Sequence, residues 1–456
     1  MVGALACLVA AASPVEAEAR EILEQLVAVD TSHGKETAAL EPLLQRFRAA
    51  GVPAQIVESA PGRGNLIARV RGNGKKRAPL LLAHVDVVPV EGQPWTVPPF
   101  TPTEKDGFLY ARGVSDDKSM AAAFVAIALE QARSQKPLSR DLIVALTAGE
   151  ETGGAAGVRW LVQNRKDLLD AELALNEGGG VYTTPDSSRI ESVSVGVAEK
   201  TFQSFRLVVH GKGGHSSVPP TEGDPVAVLA RALLRVAEHR FPAKVLPATR
   251  EQLALLARTE KPPLADALRR VADKGAVAAE DERVLAKDRI ANALVRTTCV
   301  TTMLAASPQD NVLPTTAEAT VNCRILPDET REGTMAALKT AIGDPAVEIR
   351  VLEEVGVAPS SPIGGQVTEA VRGATRALWG EVPVVHSMGT GATDSRHLRA
   401  VGIASFGLGG APGSLEDARQ GRAAHGADER RPVRWLPEGV RFLREVVLRL
   451  AREDVQ

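Results

Sequence analysis

The segment LLLAHVDVVP, residues 80–89, constrains the fold of this chain more than any other short stretch. It is apolar enough to be a buried strand, yet it carries His84 and Asp86 in its middle. Alternate residues of a strand point to the same side, so we expect both polar side chains to face one site. Because burial of either group alone costs several kcal/mol, the pair needs partners from elsewhere in the chain.

Helix-type and strand-type segments alternate on both sides of this strand. AREILEQLVAVDTS and LEPLLQRFRAAG have the apolar spacing of helices, and the strand-type segments PAQIVES and GNLIARV follow them. A further helix, MAAAFVAIALEQAR, precedes the strand DLIVALTAG. This alternation predicts an α/β fold with a mixed, mostly parallel sheet flanked by helices.

The pattern changes near residue 198. The alternating strands KTFQSFRLVVHG and TAEATVNCRILP surround the helix DPVAVLARALLRVAEHR, which is typical of a small α+β domain. After residue 355, helix and strand types that suit the first part return. We therefore predict a discontinuous catalytic domain of residues 18–197 and 356–456. Residues 198–355 would form an inserted α+β lid and dimerisation domain, with a helical insertion at 241–295 that carries no motif.

Composition excludes several classes of function. The 456 residues are 44% hydrophobic and 24% charged, which is typical of a globular protein with more than one core. The formal net charge is −2, with acids and bases mixed along the chain, so we expect neither a nucleic-acid-binding face nor a polybasic membrane patch. No stretch after the N-terminus is apolar enough to predict a membrane span.

The N-terminal segment MVGALACLVAAASPVEA, residues 1–17, has the apolar core of a signal peptide and a small-residue cleavage pattern at 15–17, but no Lys or Arg precedes the core. A signal peptide would make the protein periplasmic or secreted. The alternative is an apolar first helix in a cytoplasmic protein. Cys7, Cys299 and Cys323 form no CxxC pair, and we expect the latter two to be buried thiols.

Carboxylates recur at the ends of predicted elements, where an α/β sheet binds its ligands. Each has a simpler explanation: Asp-Asp before a helix is often an N-cap, and Glu-Glu after a strand is often a solvated turn. His425, in RAAHGADER, would by itself be a surface histidine. The carboxylates are Asp116 and Asp117 in RGVSDDKSM, Glu150 and Glu151 in TAGEET, and Glu177 in ALNEGGG.

The ordered motifs resemble one family. HVDVVP, PWTVPPF, DGFLYARGVSDDK, GEET, GGHSSVPP, NVLPTTAEATVNCRILP, TDSRH and HGADER are similar to segments of the di-zinc amidohydrolases and carboxypeptidases. That family includes aminoacylase, acetylornithine deacetylase, succinyl-diaminopimelate desuccinylase, glutamate carboxypeptidase and carnosinase. The resemblance extends from about residue 20 to the C-terminus. WTVPPF and TDSRH most resemble the carboxypeptidase S and N-fatty-acyl-amino-acid hydrolase branch.

The resemblance implies a metal centre with two Zn²⁺ ions, for which Co²⁺ or Mn²⁺ could substitute. Asp116 would bridge the two ions, His84 and Glu177 would bind one, and Glu151 and His425 would bind the other. Histidine combined with carboxylates is also, on chemical grounds alone, a ligand set that suits Zn²⁺.

The resemblance also implies catalytic roles. Glu150 would be the general base for a water shared by the metals, and Asp86 would orient His84. His215 would reach into a neighbouring subunit to stabilise the oxyanion, which implies a homodimer; by itself it would be a turn histidine. The family tends to have a cis peptide bond after the bridging aspartate, here between Asp116 and Asp117.

Three further residues match positions that contact the substrate. Asn311 and Arg324 would bind it, and Arg324 has the fork that suits a carboxylate, although an exposed strand arginine is the alternative. Arg396 is a second candidate for the carboxylate. Two positions depart from the family pattern: Asp428 replaces an asparagine of HGxNE, and Ser119 replaces a glycine of DDKG.

The predicted function is therefore hydrolysis of the amide bond of N-acyl amino acids or of C-terminal peptide bonds. Glutamate at position 177 favours deacylases and carboxypeptidases over the dipeptidases of the same family. A dipeptidase is the first alternative. A metal-binding or scaffold protein without turnover is the second, and the presence of Glu150 argues against it.

Overall fold

The structure is a computed structural model that describes residues 12–134, 136–353, 356 and 358–453. Most of the predicted signal segment, residues 1–11 with Cys7, lies outside the described residues. The chain divides into two compact units. The first unit comprises residues 1–195, 362–384 and 393–456, and the second comprises residues 196–361 and 385–392. The sequence-based boundaries were 197/198 and 355/356, so residues 385–392 were expected in the other part.

Helices occur in both units. Their bounds are α1 Pro14–Val27, α2 Glu36–Ala49, α3 Lys118–Arg133, α4 Val158–Asn164, α5 Pro225–Glu238, α6 Pro247–Leu256, α7 Leu264–Lys274, α8 Ala279–Leu285, α9 Arg289–Val295, α10 Arg331–Ile342, α11 Gly365–Trp379, α12 Ser395–Ala400, α13 Leu415–Arg419 and α14 Leu436–Ala451. None of these helices within the described residues combines the length and hydropathy that a membrane span requires.

Most strands belong to one large sheet and one smaller sheet. Their bounds are β1 Ala54–Glu58, β2 Gly64–Val70, β3 Pro79–His84, β4 Thr103–Lys105, β5 Phe108–Tyr110, β6 Leu142–Thr147, β7 Leu173–Asn176, β8 Gly180–Thr183, β9 Ile190–Glu199, β10 Thr201–His210, β11 Gly214–His215, β12 Thr298–Ala305, β13 Val312–Leu313, β14 Thr316–Ile325, β15 Glu348–Val351, β16 Val384–Gly389, β17 Ala404–Gly407, β18 Gly413–Ser414 and β19 Arg430–Pro432.

The large sheet has the order β1-β2-β6-β3-β7-β17-β9-β8-β18, with β16 paired to β9. Its central strands β6, β3, β7 and β17 are parallel, whereas β1 and β2 are antiparallel. β3 and β6 are buried along their whole length, which explains why their sequences are continuous apolar runs. The predicted mixed α/β fold is confirmed. The strand predicted from LLLAHVDVVP ends at His84, so Asp86 lies in the loop beyond it.

The second unit contains an antiparallel sheet of order β12-β14-β10-β15. Phe205, Leu207 and Val321 on the sheet form a buried cluster with Val228 of α5 and Leu338 of α10. The alternating sequences of β10 and β14 therefore have one face in this core. Residues 241–295, which we predicted to be a helical insertion, contain α6 to α9.

Cys299 and Cys323 lie directly opposite each other on β12 and β14 and form a disulfide. The expectation of two buried thiols was wrong. Sequence spacing does not show that a residue pair is opposed across two strands that 24 positions separate, and the disulfide depends on that register.

The predicted cleavage pattern at residues 15–17 lies in the first turn of α1. Glu16 is buried there, accepts a hydrogen bond from Ser13 N at 2.9 Å and pairs with Arg441 at 2.6 Å. Cleavage after residue 17 would remove these contacts from the helix.

Candidate metal centre

Neighbouring parallel strands of the first unit end at polar residues. His84 is the last residue of β3, Glu177 follows β7, and the short 3-10 turn Glu150–Thr152 comes shortly after β6. Because β6, β3 and β7 are adjacent and parallel, their carboxyl ends meet at one edge of the sheet. The order of strands therefore brings together side chains that are far apart in the sequence.

The turn after β6 depends on glycine. Gly149 and Gly154 have positive φ angles of 68° and 75°, a region that residues with a Cβ rarely adopt. A Cβ at Gly154 would also lie 2.8 Å from Asp394 Oδ1 and 2.9 Å from His397 Nε2. Glycine thus allows the turn to lie close to the TDSRH segment.

A first group of potential ligands contains His84, Asp116 and Glu177. His84 Nε2 is 3.0 Å from Asp116 Oδ1 and 3.8 Å from Glu177 Oε1. One ligand atom from each residue lies within 4.8 Å of the other two. This spacing suits three ligands of a single ion.

A second group shares Asp116 with the first. His425 Nε2 is 3.2 Å from Asp116 Oδ2 and 3.1 Å from Glu151 Oε2. Their ligand atoms are also within 4.8 Å of one another. Asp116 therefore presents one oxygen to His84 and the other to His425, which is the arrangement of a carboxylate between two cations.

Asp86 forms hydrogen bonds with residues of both ligand groups. Its carboxylate accepts hydrogen bonds from the backbone N–H groups of Glu150 and Glu151, both at 3.1 Å. Its backbone oxygen is 3.0 Å, and its Oδ1 is 3.5 Å, from His84 Nδ1. An N–H donated from Nδ1 leaves the Nε2 lone pair free to bind a metal.

The centre gathers more negative charge than its two imidazoles can neutralise. Burial raises the pKa of Glu177 well above its usual range, and the nearby Asp116 raises it further. Burial also raises the pKa of Glu150 well above its usual range. Hydrogen bonds to Asp116 and Glu151 raise the pKa of His425 to about 10. Cations placed between these carboxylates would stabilise their ionised forms, so the donor set fits divalent metal ions.

A buried ion pair that the sequence did not reveal shapes the loop of Asp116. The Glu429 carboxylate accepts backbone N–H groups from Gly113, Ser115 and Asp116 at 3.2, 2.7 and 3.2 Å. It also pairs with the buried Arg112 at 2.7 Å. Both residues lie within quoted motifs, DGFLYARGVSDDK and HGADER, but spacing alone does not show that they pair. The peptide bond between Asp116 and Asp117 is cis, as the resemblance implied.

His425 has a positive φ angle of 67°. Its backbone oxygen accepts hydrogen bonds from Gln93 at 3.0 Å and Arg112 at 3.4 Å, which hold this uncommon conformation. The departure at Asp428 also has a local explanation. Its two oxygens accept hydrogen bonds from the backbone N–H and the hydroxyl of Thr96 at 2.8 and 2.9 Å.

His215 and Asn311 lie in the second unit, on and beside a two-stranded ribbon. His215 on β11 pairs with Val312 on β13, and Asn311 O accepts a hydrogen bond from Ser216 N at 3.0 Å. Both side chains are exposed. His215 Nδ1 accepts hydrogen bonds from Ser217 N and Oγ at 3.1 and 2.8 Å, so its Nε2 is the nitrogen that can donate outward.

The two candidate arginines lie in different units. Arg324, on β14, lies over the Phe202 ring with its guanidinium carbon 4.9 Å from the ring centre. Arg396, in the first unit, donates to Gly153 O at 3.2 Å and lies 3.2 Å from His397 Nε2. Arg396 is thus attached to the loop that carries Glu150 and Glu151.

The sequence profile of peptidase family M20/M25/M40 matches residues 80–449. The chain belongs to this family. N-fatty-acyl-amino acid synthase/hydrolase PM20D1 of Mus musculus is 30% identical over 380 residues, which are 81% of this chain and 73% of that protein. These findings confirm the resemblance inferred from the motifs.

Solved structures of the same family have the same fold. An M20 family metallo-carboxypeptidase from Sulfolobus solfataricus has a TM-score of 0.69 at 20% identity and covers 94% of this chain and 98% of its own. The dinuclear metal-binding peptidase YXEP of Bacillus subtilis has a TM-score of 0.58 at 14% identity, with coverages of 95% and 98%. The chain is therefore a metal-dependent hydrolase of the metallopeptidase and amidohydrolase class, which acts on carbon–nitrogen bonds.

Proposed function

We propose that this protein uses two Zn²⁺ ions to hydrolyse the amide bond of N-acyl amino acids, or the C-terminal peptide bond of short peptides. The observation that carries the proposal is the pair of three-residue groups that share Asp116. Glu150 directly precedes Glu151, a member of the second group. The N-fatty-acyl-amino acid hydrolase and carboxypeptidase names of the relatives support this class of substrate.

The five ligands divide between two ions. His84 and Glu177 would hold one ion, Glu151 and His425 would hold the other, and Asp116 would contact both. When bound, the ions would supply a water of lowered pKa and polarise the amide carbonyl. Co²⁺ or Mn²⁺ can replace Zn²⁺ with the same ligand atoms.

Glu150 is the proposed general base. Its carboxylate would accept a proton from the attacking water and donate it to the leaving nitrogen. Two features support this role: burial raises its pKa, and the bond from its backbone N–H to Asp86 holds the turn that carries it. Asp86 would at the same time orient His84.

Residues of the second unit would bind the substrate. His215 would donate from Nε2 to the oxyanion, Asn311 would hydrogen-bond the substrate, and Arg324 would bind its carboxylate through two parallel hydrogen bonds. Arg396 of the first unit is a second partner for that carboxylate. A substrate with a free carboxylate should therefore be preferred.

We further propose a homodimer formed through the second unit. β12 is an edge strand of its sheet, and Val300, Met303 and Leu304 on it are 60%, 65% and 67% exposed. Leu234 on α5 is 63% exposed. An exposed apolar edge strand tends to pair with another chain, and a second copy offers the same edge. A wild-type protein that is monomeric by light scattering at micromolar concentration would contradict this proposal.

Export is the proposed localisation. The Cys299–Cys323 disulfide supports it, because such bonds persist mainly outside the reducing cytosol. Mass spectrometry of the protein from its native cell fraction tests it. A chain shortened at its N-terminus, without free thiols at these two positions, is expected; full-length cytosolic protein with reduced thiols would contradict export.

The activity is tested with a panel of N-acyl amino acids, C-terminally cleavable peptides and dipeptides. Zinc-loaded protein should hydrolyse the first two groups, should lose activity with a chelator, and should regain it with Zn²⁺. A matched N-acyl amine without a carboxylate serves as the control substrate. Hydrolysis of dipeptides alone would favour the dipeptidase alternative, and no turnover of any substrate by metal-loaded protein would favour a non-catalytic protein.

A further inference from the structure

The helical insertion packs against the ends of two strands of the second unit. One is β14, which carries Arg324, and the other is β16, which precedes the segment of Arg396. Leu253 of α6, Leu268 of α7 and Leu294 of α9 form a buried cluster. The same cluster contains Leu326, next to β14, and Met388 of β16. The insertion therefore has a hydrophobic core in common with the rest of the second unit.

Two consecutive side chains of α6 bind one edge of β16. The Glu251 carboxylate accepts the backbone N–H of His386 at 2.8 Å and lies 3.0 Å from His386 Nδ1. Gln252 Oε1 accepts the backbone N–H of Met388 at 3.2 Å. Residues two apart in a strand point their N–H groups to the same edge. A helix thus satisfies donors that a neighbouring strand would otherwise bind.

The other end of the insertion is bound by Lys200, a fully buried lysine. Its ammonium donates to the backbone oxygens of Ala293 and Arg296 at 3.0 and 2.7 Å and to Thr298 Oγ1 at 3.1 Å. Its backbone N–H donates to Gly389 O at 3.0 Å. Burial, followed by the nearby charge of Arg324, lowers the pKa of Lys200 to about 7.

The insertion is therefore attached to the last residues of β16: α6 binds His386 and Met388 directly, and the other end is linked to Gly389 through Lys200. Further along the chain, Arg396 contacts Gly153 in the first unit. The segment 389–392 thus connects β16, which the insertion binds, to the segment of Arg396, which hydrogen-bonds the turn that carries Glu150 and Glu151.

We propose that the insertion acts as a clamp that fixes residues 389–392, and through them the start of the TDSRH segment with Arg396, for binding of the substrate's carboxylate end, with Glu251 and Gln252 as its positioning residues. This inference depends on the proposed function, because it assigns a role in recognising the same substrate. It predicts that loosening the clamp weakens substrate binding more than it slows the chemical step.

The test compares the double variant Glu251→Ala/Gln252→Ala with wild type in the full-length, zinc-loaded protein. KM for an N-acyl amino acid should rise about tenfold, as expected for the loss of two or three hydrogen bonds, while kcat changes less than about twofold. KM for the matched N-acyl amine should stay unchanged. Glu251→Gln retains an acceptor for His386 N–H and should recover most of the affinity.

Glu280→Ala, at an exposed position on α8 of the same insertion, is the matched control and should leave KM unchanged. Gln252→Ala alone provides a milder variant if the double variant does not fold. Hydrogen exchange should increase at residues 384–392 and stay constant in β6. An active wild type with unchanged KM in the double and the single variants would overturn the clamp. An inactive wild type would instead contradict the proposed function.

Discussion

The candidate metal-binding part of the first unit and the candidate substrate-binding part of the second differ in how their residues are held. The proposed ligands in the first unit lie at strand ends and in loops and contact one another. Their loops donate backbone hydrogen bonds to the buried carboxylates of Asp86 and Glu429. His215 and Asn311 lie exposed on and beside a short ribbon. Metal binding should therefore depend on the first unit alone, whereas changes in the second should affect turnover and leave metal content unchanged.

The largest expected effect is that of Glu150→Gln. Glutamine has the same shape but cannot accept a proton, so kcat should fall roughly 10²–10⁴-fold. Both Zn²⁺ ions should remain bound, because Glu150 is not among the proposed ligands. Metal analysis and steady-state kinetics on the same sample measure both quantities.

Glu151→Gln is the matched control, since it replaces the neighbouring carboxylate with the same amide. It should lower the bound zinc toward one ion per chain. If Glu150→Gln instead loses metal and Glu151→Gln does not, the assignments of base and ligand are reversed.

His215→Ala comes next. Loss of one oxyanion donor should lower kcat about 10²–10³-fold, with unchanged zinc content and thermal stability, because the side chain is exposed. His210→Ala removes another exposed histidine of the second unit and should leave the kinetics unchanged. Full activity of His215→Ala would contradict the proposed role of His215 as an oxyanion donor.

Glu429→Gln tests the support of the metal centre. The amide cannot accept all of the backbone N–H groups of Gly113, Ser115 and Asp116, and it leaves Arg112 without a charged partner. Zinc affinity should fall about 10–100-fold, as for other groups that hold ligands in place. Competition with a metal-binding dye measures it.

Asp417→Asn provides the control for Glu429→Gln. It removes the charge from another, partly buried ion pair, Asp417–Arg430 at 2.7 Å, which has no contact with the Asp116 loop among the described bonds. Its zinc affinity should stay close to wild type even if its thermal stability falls. Equal losses of affinity in both variants would mean that stability, and not the loop, controls metal binding.

The sequence allowed the α/β fold to be predicted from alternating helix and strand patterns, and polar residues at strand ends to be singled out, because strand-end residues have a simple geometry. The ligand roles themselves were implied by the family resemblance and stay a prediction. Once β3, β6 and β7 are parallel neighbours, His84, Glu151 and Glu177 must be close together. Pairings that depend on register or tertiary contact were not predictable. The Cys299–Cys323 disulfide and the Arg112–Glu429 pair belong to this second kind, and so do the contacts of the insertion with β16.

Asp428→Asn should have the smallest effect, although it restores the residue that the family usually has. Asp428 has a positive φ angle of 55°, which asparagine also tolerates better than most residues. One amide oxygen can still accept the Thr96 N–H, and the amide nitrogen can donate to the Thr96 hydroxyl once that hydroxyl rotates. We therefore expect kcat/KM within about threefold of wild type. Asp428→Ala loses both bonds and should cost about 1–3 kcal/mol of stability in thermal unfolding; an effect of Asp428→Asn as large as that of Asp428→Ala would mean that the negative charge, and not the hydrogen bonds to Thr96, holds the His425 loop.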